Sequence, residues 1–275
     1  ALFFDCSIMG DEMLNRRKVF AAIGAAFFIS AVSRSRNAIA DSVVNSNEKA
    51  LHNPKRNYFF AFAGNETVVG AANIGIGEVA LSKISTGFNN VAVGDQAMRI
   101  HADGINNVAV GALAMTNSES CIDCTAVGTG ALQSAINGVG ATAMGRLSCN
   151  SLLSAGNNTG YGDSTLRFLQ VGDSNVAIGY RSAETLEDGS GNVSVGAHAA
   201  KSVGRGDRNI FIGYKSGSIG GQTENVSNSI AIGANTRTTK NNQIVIGTTD
   251  TEEIVIGGVR VTPRKLRRLL ALIDA

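Results

Sequence analysis

A glycine recurs every 17 residues at Gly77, Gly94, Gly111, Gly128, Gly145, Gly162, Gly179, Gly196 and Gly213. In most copies it closes a small-plus-apolar tetrapeptide such as Val108-Ala109-Val110-Gly111. A unit this short cannot bury a core alone, so an unbroken run of units folds only by stacking each on the next. The chain is therefore expected to be all-β, a parallel β-roll or β-solenoid rod over residues 73–258. Composition agrees, because 33 glycines, two prolines and no tryptophan do not describe an ordinary globular core.

Aligned on the glycine, the residue three before it is Ile74, Val91, Val108, Thr125, Thr142, Thr159, Val176, Val193 and Ile210. The residue just before it is Ile76, Val93, Val110, Val127, Met144, Tyr161, Ile178, Val195 and Ile212. Strand side chains alternate, so both files share one face, and their β-branched character assigns them to the coil interior. The residue between them is then outward, and it is small: Gly75, Ala92, Ala109, Ala126, Ala143, Gly160, Ala177 and Ser194, with Phe211 the exception. A file of alanines lets another surface approach closely, which makes Ala92, Ala109, Ala126, Ala143 and Ala177 the expected subunit interface. Met98, Met115, Leu132, Cys149, Leu166, Ala183 and Ala200, four after the glycine, close the interior from its other side.

A second glycine file, Gly87, Gly104, Gly138, Gly172, Gly189 and Gly206, implies a second sharp turn and hence two short strands per coil. An asparagine file, Asn90, Asn107, Asn158, Asn175, Asn192 and Asn209, can hydrogen-bond along the rod. Eleven or twelve coils at about 4.8 Å each would give a rod ~50 Å long. Towards the end the equivalent glycines become Gly233, Gly247 and Gly257, so the coils are expected to shorten. A short helix then fills residues 259–275, with Thr262 as cap, Pro263 as first helical residue, and Leu266, Leu269, Leu270 and Ile273 on one seam.

Residues 13–40 carry Arg16-Arg17-Lys18, an apolar run from Val19 to Val32, and Ala38-Ile39-Ala40. These are the three parts of a secretory signal helix, with a twin-arginine order in Asn15-Arg16-Arg17-Lys18-Val19-Phe20. Residues 1–12 read as an upstream segment outside the natural start, and 41–72 as a cap or linker over the open end of the rod.

The tetrapeptides at 91–94, 108–111, 176–179, 193–196 and 230–233 resemble the head repeats of YadA-like trimeric autotransporter adhesins over about residues 73–258. That resemblance implies three chains packing left-handed β-rolls side by side, displayed at the cell surface to bind extracellular matrix or other cells. The period is longer than the usual family repeat, and the likeness includes no neck motif and no membrane-barrel strands. Similar repeats of this longer period occur in phage tail fibres and spikes, so a virion receptor-binding module is the second reading. A hexapeptide-type acyltransferase is the third, disfavoured because Val93, Val110 and Val127 are followed six residues later by Arg99, Thr116 and Gln133. An ice-binding face is disfavoured because the threonines fall on the file assigned to the interior.

No enzyme chemistry is expected. His52, His101 and His198 lie in different repeats without a nucleophile in register. Cys121 and Cys124 have redox or metal spacing, but a fourth metal ligand is wanting, so a disulfide or free thiols are expected and no metal or cofactor. The formal net charge is only +2, with basic residues gathered at Arg16–Arg36 and Arg260–Arg268, so neither nucleic acid nor a small-molecule substrate is an expected partner. The glycines named above, with Gly233 and Gly247, are expected to be structural.

Overall fold

A computed structural model describes residues 56–65, 67–218, 220 and 224–273. The upstream segment, the signal helix and His52 lie outside the described residues.

Twelve three-residue strands form one sheet: β1 (Tyr58–Phe60), β2 (Ile74–Ile76), β3 (Val91–Val93), β4 (Val108–Val110), β5 (Thr125–Val127), β6 (Thr142–Met144), β7 (Thr159–Tyr161), β8 (Val176–Ile178), β9 (Val193–Val195), β10 (Ile210–Ile212), β11 (Ile230–Ile232) and β12 (Ile244–Ile246). Each pairs in parallel with its neighbours in sequence, Val91 with Val108 and Val108 with Thr125, so the glycine period is the register of the sheet. The result is a parallel β-solenoid. Tyr58–Phe60, expected in the cap, is the first rung, paired with β2.

The opposite side differs from the expectation of a second strand. It carries one single-residue bridge per coil, Phe88 to Ile105 to Ile122 to Val139 to Gly156. A second series, Ser154 to Val171 to Asp188 to Arg205, then takes over two residues earlier in the repeat. The hand-over lies in the coil that starts at Gly145.

The two faces of the strands are the reverse of the sequence expectation. Ala92, Ala109, Ala126, Ala143 and Ala177 are fully buried, while the valines, isoleucines and threonines on either side of them are half-buried or exposed. The reason is the depth of the coil. Met98, Met115, Leu132 and Leu166 fill the interior from the opposite wall, and they leave room for only a methyl beneath the strand. Phe211 shows the same constraint. It is fully buried in the alanine file, and its ring occupies the space beside Gly217, which stands where other coils carry Leu, Met, Cys or Ala.

The backbone alternates its hydrogen bonds between the coils below and above. Gln96 N–H donates back to Glu78 O at 2.9 Å, and Met98 N–H donates forward to Ala114 O at 2.9 Å. Reversing direction within two residues puts Gln96 (φ 56°) and Met98 (φ 49°) in the left-handed region, and the same positions repeat it at Leu113 and Met115. Each such residue costs about 1–2 kcal/mol. Burial of each Met or Leu, worth ~1.5–3 kcal/mol, offsets much of that. Glycine is required at Gly94 for two reasons. Its φ is +134°, and a Cβ there would lie 2.6 Å from the carbonyl of Gly111 in the next coil.

Past β12 the rod ends. The coils there do not simply shorten: Ile210 to Ile230 takes 20 residues and Ile230 to Ile244 takes 14, after which coiling stops. Ile254–Ile256 (β13) pairs in antiparallel with Val259–Val261 (β14) across Gly257-Gly258, whose φ values of 56° and 81° suit a tight two-residue hairpin turn. Gly257 is therefore a hairpin residue, not a repeat glycine. Helix α1 (Pro263–Ile273) follows, starting later than residue 259, with Thr262 as cap through its hydroxyl to Lys265 N–H at 3.3 Å.

Candidate functional site

Three features of the rod could carry function. The first is the outward strand face. Ile76, Val110, Met144, Tyr161, Ile178, Ile212, Ile232 and Ile246, which precede the repeat glycines, are all exposed. Their outward companions three before the glycine include Thr125, Thr142 and Thr159. The alanines expected at a subunit interface are in the core and cannot touch another chain. The threonine file, set aside as interior, is half-exposed, but it spans only three rungs within an otherwise aliphatic face.

The second feature is a break in the interior. Asparagine amides form a continuous zipper through the first coils. Asn90 Nδ2 donates to Asn73 Oδ1 at 3.0 Å and to Gly104 O at 2.7 Å, and Asn90 Oδ1 accepts from Asn107 N–H at 3.2 Å and Asn107 Nδ2 at 3.0 Å. Asn57 and Asn73 extend it upstream. The zipper stops at Asn107 and resumes at Asn158, because Cys124 and Ala141 hold the intervening positions. Cys121 likewise stands in the second glycine file, so the Cys-x-x-Cys segment replaces a Gly-x-x-Asn clamp within a single coil.

Both thiols are buried and free. A Cβ placed on Gly138 would lie 3.3 Å from Cys121 Sγ and 3.6 Å from Cys124 Sγ, so the two sulfurs lie side by side against that glycine. The hydrogen bond between the thiols and their burial hold Cys121 protonated far above its usual range, and the same bond lowers Cys124. Burial pushes Cys149 up to about 12. Of the two states expected, a disulfide or free thiols, this structure holds the thiols.

His101 closes the polar patch. It occupies a buried interior file that is Ile84, Ser118, Ala135, Leu152, Leu169, Leu186 and Val203 in other coils. Its Nδ1 lies 3.0 Å from Ser118 O, and its Nε2 lies 3.0 Å from Asn107 Nδ2. The carbonyl fixes the proton on Nδ1 and leaves Nε2 to accept from the amide. Burial pushes the imidazole down to about 4, so it is neutral in the fold. This arrangement satisfies a buried polar group. Among the described residues no group of three His, Cys, Asp or Glu side chains is placed to hold a metal ion.

The third feature was not visible from overall charge. The corner after the strand carries Tyr180-Arg181, Ala197-His198 and Tyr214-Lys215 at equivalent places in three successive coils. Backbone bonds lock them in register, His198 N–H to Tyr180 O at 2.8 Å and Lys215 N–H to Ala197 O at 3.0 Å. The His198 ring meets Tyr180 edge to face at 5.1 Å. Arg181 lies 5.4 Å from the Tyr180 ring centre, and Lys215 lies 5.1 Å from that of Tyr214. Burial, Lys201, Arg181 and Lys215 together lower the His198 pKa. The signal was local register, which a search for a full-length basic stripe passes over. No family model, no curated protein and no solved structure matches the chain.

Proposed function

We propose that the chain is the non-enzymatic head of an exported homotrimer, a left-handed roll that displays a binding surface at or outside the cell. The subunit contact in this reading is the aliphatic strand face and not the alanine file. The supporting observation is the continuous file of Ile, Val, Met and Tyr from Ile76 to Ile246, exposed in most rungs and half-buried at Val93, Val127 and Val195. Ten steps of about 4.8 Å and a width of ~10 Å give roughly 500 Å² of mainly apolar surface, at the upper end of what monomers leave bare. Its flatness, with side chains in straight files, suits a sister copy of the same file better than an irregular partner.

Light scattering on the purified chain tests it. The natural sequence should run as a trimer, and Ile178→Asp with Ile212→Asp should give monomers that keep the β-sheet circular dichroism. A monomeric natural chain would remove the reading. Recovery in virion fractions, in place of envelope or medium, would replace cell-surface display with a phage fibre role.

A further inference from the structure

The corner file carries more cations than carboxylates: Arg181, Lys201 and Lys215 gather around Glu184, and Asp163, the carboxylate of the preceding coil that Arg181 also feels, is paired with Arg146. Glu184 is buried, with Arg181 at 3.3 Å and Lys201 at 3.6 Å, so one carboxylate serves two cations. Among the described residues Lys215 has no ion-pair partner. Arg181 Nε, although within ion-pair distance of Glu184, is buried and makes no hydrogen bond. His198 stands among these cations, so the group is mutually repulsive and an added anion would relieve it.

The arrangement is linear. Arg181, His198 and Lys215 repeat at the coil spacing of about 4.8 Å, placing the outer two cations ~9.6 Å apart along the rod. A ligand matching them runs parallel to the rod and carries regularly spaced negative groups. Single-stranded nucleic acid would also need open aromatic faces for base stacking. Here a cation of the same coil lies over each tyrosine ring and His198 meets Tyr180 edge to face, so less open ring face is left for stacking beside the phenol hydroxyls and the charge. Hydroxyls and cations together suit a sugar chain.

We infer that Arg181, His198 and Lys215, with Tyr180 and Tyr214, form a binding site for a linear polysaccharide bearing carboxylate or sulfate groups. This inference deepens the display reading by naming a ligand class, and it does not depend on the trimer.

Calorimetry on the full chain at low salt, with sulfated dextran, polygalacturonate and neutral dextran as probes, tests it. At least one of the two anionic polymers should bind, which of them does identifies the anionic group, and neutral dextran should not bind. Lys215→Gln, which breaks no ion pair, should weaken binding about tenfold. Arg205→Gln with Arg208→Gln, on the opposite side of the coil, should leave binding within about threefold. Failure of both anionic polymers, equal binding of neutral dextran, or equal losses from the two sets of variants would overturn the site. So would a single-stranded oligonucleotide that competes as well as the best polysaccharide. A monomeric chain that still binds would disprove the trimer and leave the site standing.

Discussion

Replacing Asn175 by alanine removes a complete link of the amide zipper, and the cost can be worked out bond by bond. Asn175 Nδ2 donates to Asn158 Oδ1 at 3.0 Å and to Gly189 O at 2.7 Å. Its Oδ1 accepts from Asn192 N–H at 3.0 Å and from Asn192 Nδ2 at 2.9 Å. Two of the four partners keep another bond after truncation: Asn158 Oδ1 still accepts from Asn175 N–H, and Asn192 Nδ2 still reaches Gly206 O. The Asn192 N–H and the Gly189 carbonyl lose these bonds in a buried setting. Orphaning a buried polar group costs about 1–3 kcal/mol, so Asn175→Ala should destabilise by roughly 3–5 kcal/mol.

Because each coil touches only its neighbours, the loss should appear locally before it appears globally. Hydrogen exchange of the β8 and β9 amides should accelerate by about 10²–10⁴-fold, with a lower urea midpoint for the whole rod. The comparison variant is Asn150→Ala, whose side chain is half-buried and bonds to Gly130 O and Gln133 Oε1. It should cost about 1 kcal/mol or less. If the two variants lose equal stability, or if Asn175→Ala exchanges like the natural chain, the zipper is not what holds the coils in register.

Two further outcomes follow from the polar break. Unfolding releases His101 from about 4 to its ordinary value of 6.5, so the unfolded chain takes up the proton first. This contribution to stability is complete above pH 6.5 and is lost as pH falls towards 4, by up to ~3 kcal/mol, and His101→Gln should flatten that part of a urea-midpoint profile. The double variant Cys121→Gly, Cys124→Asn restores the Gly-x-x-Asn clamp and should stabilise the reduced protein by about 1–2 kcal/mol, read as a higher melting temperature. A lower melting temperature would show that the thiols fill that coil better than the amide does.

Much of the fold was legible because glycine repeats for reasons the backbone enforces in every coil. At Gly94 and Gly111 the residue must both adopt a left-handed φ and pass within contact distance of the next carbonyl. Which face of the strand is buried was not legible from β-branching alone, since Val91 and Val93 pack as well on an outer sheet surface as inside. The asparagine file held the missing clue. Asn90 and Ala92 share strand parity, and an amide that bonds along the rod must point inwards, which carries the alanine with it. The second side was misread because single bridges leave no alternating pattern over several residues. The corner cluster at Tyr180 to Lys215 needed register, which the period supplies, together with the exposure of each position, which it does not.

The gap at Cys124 and Ala141 and the change of bridge series near Gly145 fall in neighbouring coils, and this coincidence divides the rod. Four amides, Asn57 to Asn107, tie one stack, and four more, Asn158 to Asn209, tie the other. The junction between them lacks the amide-to-amide links: Asn107 Oδ1 accepts only from Cys124 N–H, and the half-buried Asn150 bonds to Gly130 O and Gln133 Oε1 beside the backbone pairing. Under mechanical tension or slow heating, the molecule should therefore behave as two cooperative blocks joined at a fault line, parting in its middle before it frays at either end.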